Sequence, residues 1–337
     1  MINFSILFIF IINSYNYVNN KRIPRKDEED NKIEEKIRND IKQMLTESNT
    51  INDEADTAAD EIYRAIRYQK FDKSKVTKKE TQIEVNGKEI NLNRYQFSIN
   101  TTYKQRPILT TVYIFQFPSE EDYDFFIENG GKPCEGSSNS YKGRQNFLTI
   151  YCYVSPKYAD YGELYDTIQH ELSHLGKTIL AGKEMENYGL INYATTILRS
   201  TSTTHYQELI ANIYYIGRRD EQDAYINGTY GYLKEKMPIG GNDIIKRLRE
   251  TTLYERIDFL ERVAKNEKKI FADKDFINTL QNIPQQYGLT LSKLRGWLHH
   301  GLKRLKRKTA NMLAHYERFV YSRSFRSNPP RSPIDGI

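Results

Sequence analysis

The stretch over residues 160–176, DYGELYDTIQHELSHLG, constrains this chain more than any other because it joins a helix pattern to a defined chemistry. Its apolar residues recur at helical spacing and predict one buried stripe: Leu164, Ile168, Leu172 and Leu175. Asp160, with Glu163 three residues later, resembles a helix-capping pair, and Gly176 suits the position just past a helix end. We therefore expect a helix that begins after Asp160 and ends at Gly176.

This helix carries an H-E-x-x-H motif. His170 and His174 are four residues apart, so both imidazoles lie on one helical face and can bind a single Zn²⁺. Glu171 lies beside that face and can act as general base for a water molecule that the zinc activates. The alternative is a chance match on an ordinary helix. Because the chain has only six histidines and the helix signals agree with the motif, zinc binding is the favoured interpretation.

The residues ahead of this helix have the alternation typical of β strands. The pair Asn86-Gly87 joins two apolar runs and predicts a hairpin. Further strands are expected over 108–117 and 147–154. The segment 129–143 is rich in Gly and Ser, which predicts a mobile loop.

Strands followed by a helix with H-E-x-x-H resemble the zincin metallopeptidases. The resemblance implies an α+β fold, with a small mixed or antiparallel sheet, then the motif helix, then a mainly helical C-terminal subdomain. It also implies zinc-dependent hydrolysis of peptide bonds, with an extended substrate paired to the edge of the sheet. The strand over 147–154, or a neighbour of it, is the candidate for that edge, and an ordinary core strand is the alternative.

A catalytic zinc needs a third protein ligand. Lys177 and Leu180 stand where the metzincin pattern has Gly and His, so that branch is excluded. The chain is instead similar to the gluzincins, in which a Glu on a later helix completes the site. A helix is expected over 200–217, where Thr204 and Gln207 form a capping pair. The resemblance implies Glu208 as the third zinc ligand.

Two neighbours of Glu208 are candidates for supporting roles. Asn212 stands where thermolysin-like gluzincins have an Asp that orients the first His, and a neutral amide raises imidazole basicity less than a carboxylate does. His205 is a rival third ligand or a donor to the transition state. The alternative is that Glu208 and His205 are surface residues of an ordinary helix.

The chain is expected to divide into five segments: an apolar start and charged linker (1–30), N-terminal helices (31–75), a zincin-like catalytic domain (76–232), a helical C-terminal subdomain with a basic last helix (233–321) and a disordered tail (322–337). Within the second half, residues 218–241 are interpreted as a loop. Residues 287–337 carry 11 Lys and Arg against 2 acidic residues, which accounts for the net charge of +6. The basic helix is either a site for an anionic partner, nucleic acid or a membrane surface, or a solvated face.

Two features bear on the compartment. Residues 4–12 are apolar but far shorter than the ~20 residues that span a bilayer. They resemble the core of a signal peptide without its basic start, so secretion and a cytoplasmic location both stay open. Cys134 and Cys152 are too few for a disulfide framework, and a buried free thiol is favoured over a bridge for Cys152.

The predicted function is that of a zinc metallopeptidase with His170, His174 and Glu208 on the metal and Glu171 as base. The alternative is a zincin-fold protein without turnover, for binding or as a virion structural component, associated with nucleic acid through the basic helix.

Overall fold

The computed structural model describes residues 53–141, 145–181, 188–200, 202–236 and 244–322. The signal-like segment, the helix expected before residue 53 and the tail beyond residue 322 lie outside these ranges. None of the helices within them is long and apolar enough to span a membrane. All of the described residues belong to one compact unit.

A five-stranded mixed sheet forms the β part of the fold. Its order is β1-β2-β3-β5-β4, and β3 and β5 are parallel while the other neighbours are antiparallel. The strands are Thr77–Val85 (β1), Lys88–Tyr103 (β2), Arg106–Gln116 (β3), Cys134–Tyr141 (β4) and Gln145–Val154 (β5).

The hairpin predicted at Asn86-Gly87 is confirmed. Both residues have left-handed backbones, with φ of 46° and 79°, as a type I′ turn requires. The register that follows places Ile90 and Leu92 of β2 in the core, where they pack with Phe117 and Tyr123. Tyr123 belongs to helix α2 (Glu120–Glu128), which begins after the N-cap Ser119.

The prediction of a loop over 129–143 is wrong for β4, which occupies much of that segment. Gly and Ser have weak intrinsic strand preference, and pairing with β5 stabilises the strand instead. β4 is an edge of the sheet, whereas β5 is paired on both sides and is interior. The strand predicted over 147–154 is therefore a core strand, and its neighbour β4 is the one at the edge.

Helices make up the rest of the described chain. They are α1 (Asp53–Arg67), α3 (Tyr161–Ala181), α4 (Tyr188–Arg199), α5 (His205–Gly217), α6 (Arg219–Lys236), α7 (Ile244–Arg249), α8 (Thr252–Lys265), α9 (Glu267–Ile270), α10 (Lys274–Gln281) and α11 (Leu291–Ser322). α1 and α3 pack on one face of the sheet around a core that includes Ile62, Phe97, Ile150 and Ile168. The protein is thus an α+β fold with a largely helical second half.

The interpretation of residues 218–241 as a loop is also wrong. α6 fills most of that segment and is buried on nearly all sides, including polar residues such as Gln222 and Asn227. A helix buried all round has no polar face, so its sequence lacks the apolar stripe by which surface helices are recognised.

Candidate metal centre

The motif helix α3 begins as its sequence predicts. Oδ1 of Asp160 accepts the backbone N–H groups of Gly162 and Glu163 at 2.9 and 3.0 Å. The helix does not end at Gly176 but continues to Ala181. Gly176 lies inside this helix. A side chain there would clash with the hydroxyl of Tyr103, which explains why the position is a glycine. The motif is therefore held on a longer helix than predicted.

The two motif histidines face each other. Nε2 of His170 lies 3.2 Å from Nε2 of His174. The carboxylate of Glu221 approaches both, with Oε2 at 3.8 Å from His170 Nε2 and Oε1 at 3.6 Å from His174 Nε2. Each of the three residues offers a ligand atom within 4.8 Å of the others, and the group could hold one metal ion.

Helix α6 carries Glu221 to the motif because it packs more extensively on α3 than any other helix. Small residues allow this close approach: a Cβ at Gly228 would clash with Oδ1 of Asp166, and one at Gly231 would lie 3.0 Å from Cγ of Gln169. A buried hydrogen bond of 2.9 Å from Asn227 Nδ2 to Ser173 Oγ fixes the register. These contacts set the first turn of α6, with Glu221, beside the imidazoles.

The residues present fit a metal ion. Oε2 of Glu221 is buried and has no hydrogen-bond partner among the described residues, which is costly for a carboxylate oxygen. Two imidazole nitrogens 3.2 Å apart and one carboxylate within 3.8 Å of both supply the donor atoms. A bound cation would satisfy all three groups at once, and His and carboxylate donors are ligands of borderline divalent metals.

The charges at the centre favour an ionised Glu221. Burial opposes ionisation of this carboxyl, but its hydrogen bond to His174 and the nearby positive charges lower its pKa to about 2. Arg218 contributes to this effect, with Nη1 at 3.7 Å from Oε1 of Glu221. Burial, followed by repulsion from His174, lowers the pKa of His170 to about 3. Glu221 is therefore a carboxylate and His170 a neutral imidazole at neutral pH, as metal ligands must be. Burial opposes protonation of His174, but its hydrogen bond to Glu221 raises the pKa of this imidazole, which a bound cation would have to deprotonate.

Glu171 lies next to this group without belonging to it. Its side chain is hydrogen-bonded to Ser138 of β4, and burial raises the pKa of its carboxyl. A Cβ on Gly136, also in β4, would lie 2.5 Å from Cγ of Glu171. The edge strand of the sheet therefore contacts the motif helix at the residue predicted to be the base.

Tyr225 and Arg256 complete one wall of the centre. Tyr225 lies one helical turn after Glu221, and its ring packs edge-on against His170 with centroids 5.2 Å apart. The guanidinium of Arg256 lies over the Tyr225 ring, 5.8 Å from its centroid. Nε of Arg256 is buried and has no hydrogen-bond partner among the described residues. Within the part of the chain that the structure describes, the Nε–H group of Arg256 is thus an unused hydrogen-bond donor close enough to His170 for its charge to act on that imidazole.

Three residues predicted for the site lie elsewhere. Glu208 is exposed on α5, and its Oε1 accepts a hydrogen bond of 2.6 Å from Thr203. His205, the first residue of α5, is exposed and packs on Tyr206, while Asn212 donates to the backbone carbonyl of Glu208. None of the three belongs to the group with His170 and His174.

The reason is the orientation of α5. Its capping box of Thr204 and Gln207 is confirmed, but the helix buries its apolar face and leaves the opposite face, with Glu208, outside. The structure brings Glu221 of the next helix to the imidazoles instead. Two signals in the sequence point to that helix: Gly217 ends α5, and the acidic pair Asp220-Glu221 after it is typical of a first helical turn.

The basic helix α11 uses several of its charges internally. Lys306 pairs with Glu261 and Lys308 with Asp223, while Arg295 and His299 both contact Glu267. Its apolar face, including Leu298 and Leu305, is buried. Part of the positive charge predicted to attract an anionic partner is thus neutralised within the chain.

The chain matches no protein-family model, no curated protein and no solved structure. The candidate metal centre is defined by the side chains of His170, His174 and Glu221 and by the distances between their nitrogen and oxygen atoms.

Proposed function

We propose that this protein is a zinc-dependent peptidase of the zincin type, in which His170, His174 and Glu221 hold the metal and Glu171 is the general base. The observation that carries the proposal is the approach of the Glu221 carboxylate to both imidazoles of the H-E-x-x-H motif. Glu221 takes the role that the resemblance to gluzincins had assigned to Glu208: a Glu from a later helix that completes the metal site.

The distances between the donor groups are compatible with a small divalent cation such as zinc. In a tetrahedral site with bonds of about 2.0–2.2 Å, any two ligand atoms lie about 3.3–3.6 Å apart. The two imidazole nitrogens lie 3.2 Å apart, and two different oxygens of the Glu221 carboxylate lie 3.8 Å from His170 and 3.6 Å from His174. Two His and one Glu are the ligands of zinc in several peptidases, and three protein ligands leave a fourth position for solvent.

Glu171 is suited to proton transfer. Zinc, when bound, supplies Lewis acidity that polarises a peptide carbonyl and makes water more acidic. The Glu171 carboxylate takes a proton from the attacking water and delivers it to the leaving amine nitrogen. Burial raises the pKa of this carboxyl above its ordinary value, which makes it a stronger base than an exposed Glu. Its hydrogen bond to Ser138 holds it in place.

The edge strand β4 offers a place for an extended substrate. Tyr153 donates its backbone N–H to the carbonyl of Pro133, so odd-numbered residues of β4 bond to β5. The backbone polar groups of Gly136 and Ser138 then point to the outer edge, and no described strand pairs there. A peptide that added to this edge would run beside Glu171, since both residues contact that side chain.

The variant Glu171→Gln tests the proposal. We expect the purified wild-type chain to bind one zinc ion and to cleave peptides in a mixture of unfolded proteins analysed by mass spectrometry. Glu171→Gln should bind zinc equally well and lose at least about 100-fold in cleavage rate, the lower end of the general-base contribution. Glu208→Gln is the matched control and should retain both properties.

Two outcomes oppose the proposal. Cleavage by Glu171→Gln at the wild-type rate would remove the assigned base. Stoichiometric zinc without any cleavage by the wild-type chain would favour the alternative, a zincin-fold binding or virion structural protein without turnover. Salt-dependent binding of DNA or RNA, reduced by charge reversal on α11, would add nucleic-acid association to that alternative.

A further inference from the structure

Cys134 and Cys152 lie directly opposite each other on the paired strands β4 and β5. Both thiols are buried, and both belong to the core between the sheet and α3. The neighbouring thiol of Cys152, and then burial, raises the pKa of Cys134, so the two sulfur atoms are close neighbours. These two residues account for all the cysteine of the chain.

The hydrogen-bond pattern of the two strands gives the pair a special geometry. Tyr153 and Pro133 are a hydrogen-bonded pair, with a distance of 2.8 Å from N to O. In an antiparallel ladder the next pair, Cys134 and Cys152, is therefore non-hydrogen-bonded, with Cα atoms about 4.5 Å apart and side chains closer. Disulfides need Cα separations of about 4.4–6.8 Å. A cross-strand pair of this kind therefore falls within the range of Cα separations that a disulfide needs.

We propose that Cys134 and Cys152 form an intramolecular, cross-strand disulfide when the protein meets a low-molecular-weight disulfide such as oxidised glutathione. The Cys134 thiolate attacks one sulfur of the oxidant, which forms a mixed disulfide and releases one glutathione thiol. The Cys152 thiolate then attacks the Cys134 sulfur, forms the protein disulfide and releases the second thiol. Two electrons pass to the oxidant, and the two cysteine protons end on the released thiols.

Cys134 is the residue expected to react first. It is the first residue of an edge strand, with an exposed fraction of 8 % against 3 % for Cys152. Strand ends open locally at lower free energy than interior strands, so the oxidant reaches Cys134 before Cys152. Cys152 then reacts only with the neighbouring Cys134 sulfur, so the interior strand β5 does not have to open to the oxidant.

The bond would tie the edge strand to the sheet beside the metal centre. Cys134, Gly136 and Ser138 alternate along one face of β4, and the latter two contact Glu171. The disulfide therefore limits fraying of the strand that holds Glu171. Any effect on peptide cleavage rests on the proposed function, whereas formation of the bond does not.

The test uses the full-length protein equilibrated in buffers with graded ratios of oxidised to reduced glutathione. We expect alkylation of the denatured protein and non-reducing peptide mapping to find a Cys134–Cys152 linked peptide that replaces the two alkylated ones. The oxidised protein should unfold at a higher temperature than the reduced protein. This difference should be absent from a Cys134→Ala/Cys152→Ala variant, in which neither buried position carries a polar atom.

Three results would overturn the inference: both thiols alkylated in full at the most oxidising ratio, a mixed glutathione disulfide that does not resolve, or a bond between two chains only. The variant separates folding from oxidation, because its unfolding temperature should not change with the ratio of oxidised to reduced glutathione. These readouts are independent of zinc binding and of peptide cleavage. Absence of the disulfide would leave the proposed function unaffected, and absence of cleavage would leave the disulfide proposal unaffected.

Discussion

Oε1 of Glu221 lies 3.6 Å from Nε2 of His174, and this contact joins the first turn of α6 to the motif helix α3. The same carboxylate lies 3.8 Å from His170 through its other oxygen. One side chain thus approaches both imidazoles, although it comes from a separate helix and from a segment predicted to be a loop. The candidate metal site therefore depends on how α6 is held against α3.

We expect Glu221→Gln to weaken zinc binding by more than about 100-fold, because loss of a ligand should exceed the 10–100-fold cost of losing an outer partner. Glu208→Gln should change the affinity by less than about twofold. Competition titration with a chromophoric chelator measures both constants. If Glu208→Gln lost the metal and Glu221→Gln retained it, the ligands would be His170, His174 and Glu208, as the sequence predicts. Helix α5 would then have to rotate to bring Glu208 to the imidazoles.

Gly136→Ala is expected to reduce peptide cleavage without loss of zinc. The added Cβ would lie 2.5 Å from Cγ of Glu171 and 2.9 Å from Cγ2 of Thr167, so Glu171 must move. Displacement of a catalytic group by about 1 Å can cost on the order of 100-fold in rate. Steady-state kinetics and zinc content check this. Gly296→Ala, with nothing within 4 Å of its Cβ, is the control and should leave the rate unchanged. Equal cleavage rates for Gly136→Ala and Gly296→Ala would show that the position of Glu171 does not depend on its contact with Gly136.

Local patterns in the sequence predict much of what surrounds the site. The Asn86-Gly87 hairpin, the start of α3 at Asp160 and the capping box of α5 each depend on residues a few positions apart, and all three occur in the structure. The same holds for the relation of His170 to His174, since helical spacing alone sets it.

The remainder depends on tertiary packing. Gly228 and Gly231 would weaken an isolated helix, and they are favourable only because α3 fills the space beside them. The position of Glu221 follows from that packing, so a pattern over neighbouring residues does not reveal it. β4 is similar: its Gly and Ser residues predict a loop, but β5 and the motif helix stabilise them as a strand.

Lys234 connects three helices in the interior and should be critical for stability. Its Nζ lies 2.8 Å from Oδ1 of Asp56 and 3.2 Å from Oδ1 of Asp60 on α1, and 2.8 Å from the hydroxyl of Tyr165 on α3. Lys234→Met should lower the free energy of unfolding by about 1–3 kcal/mol, because it leaves two half-buried carboxylates without this cation. Burial already raises the pKa of Asp60 despite the opposing charge of Lys234.

Urea denaturation followed by circular dichroism measures this loss. Lys75→Met is the matched control because Lys75 pairs with Asp72 on the surface, where the lysine side chain is 80 % exposed. That variant should unfold at the wild-type urea concentration. A Lys234→Met protein as stable as the control would show that the buried pairs make no net contribution.

Glu163 is expected to make the protein less stable as the pH rises. Burial, and next the nearby charge of Asp160, raises the pKa of Glu163 to about 7 in the folded state from 4.5. The folded state therefore holds this proton more tightly than the unfolded state, and the contribution to stability is fully present below pH 4.5. This contribution is lost as the pH rises from about 4.5 to 7. Above pH 7 the group causes no further change in the free energy of unfolding.

Glu163→Gln removes this titration. The variant should match the wild type in free energy of unfolding at pH 4.5 and exceed it by about 1–2 kcal/mol at pH 8, after a discount for the partial exposure of the side chain. Urea denaturation of both proteins across this range measures the difference, in which other titrating groups cancel. Glu84→Gln on the exposed side of β1 serves as control and should show the wild-type dependence. If Glu163→Gln also followed the wild-type curve, the carboxyl would be ionised in the folded protein throughout the range, with Lys236 on α6 as the cation that stabilises it.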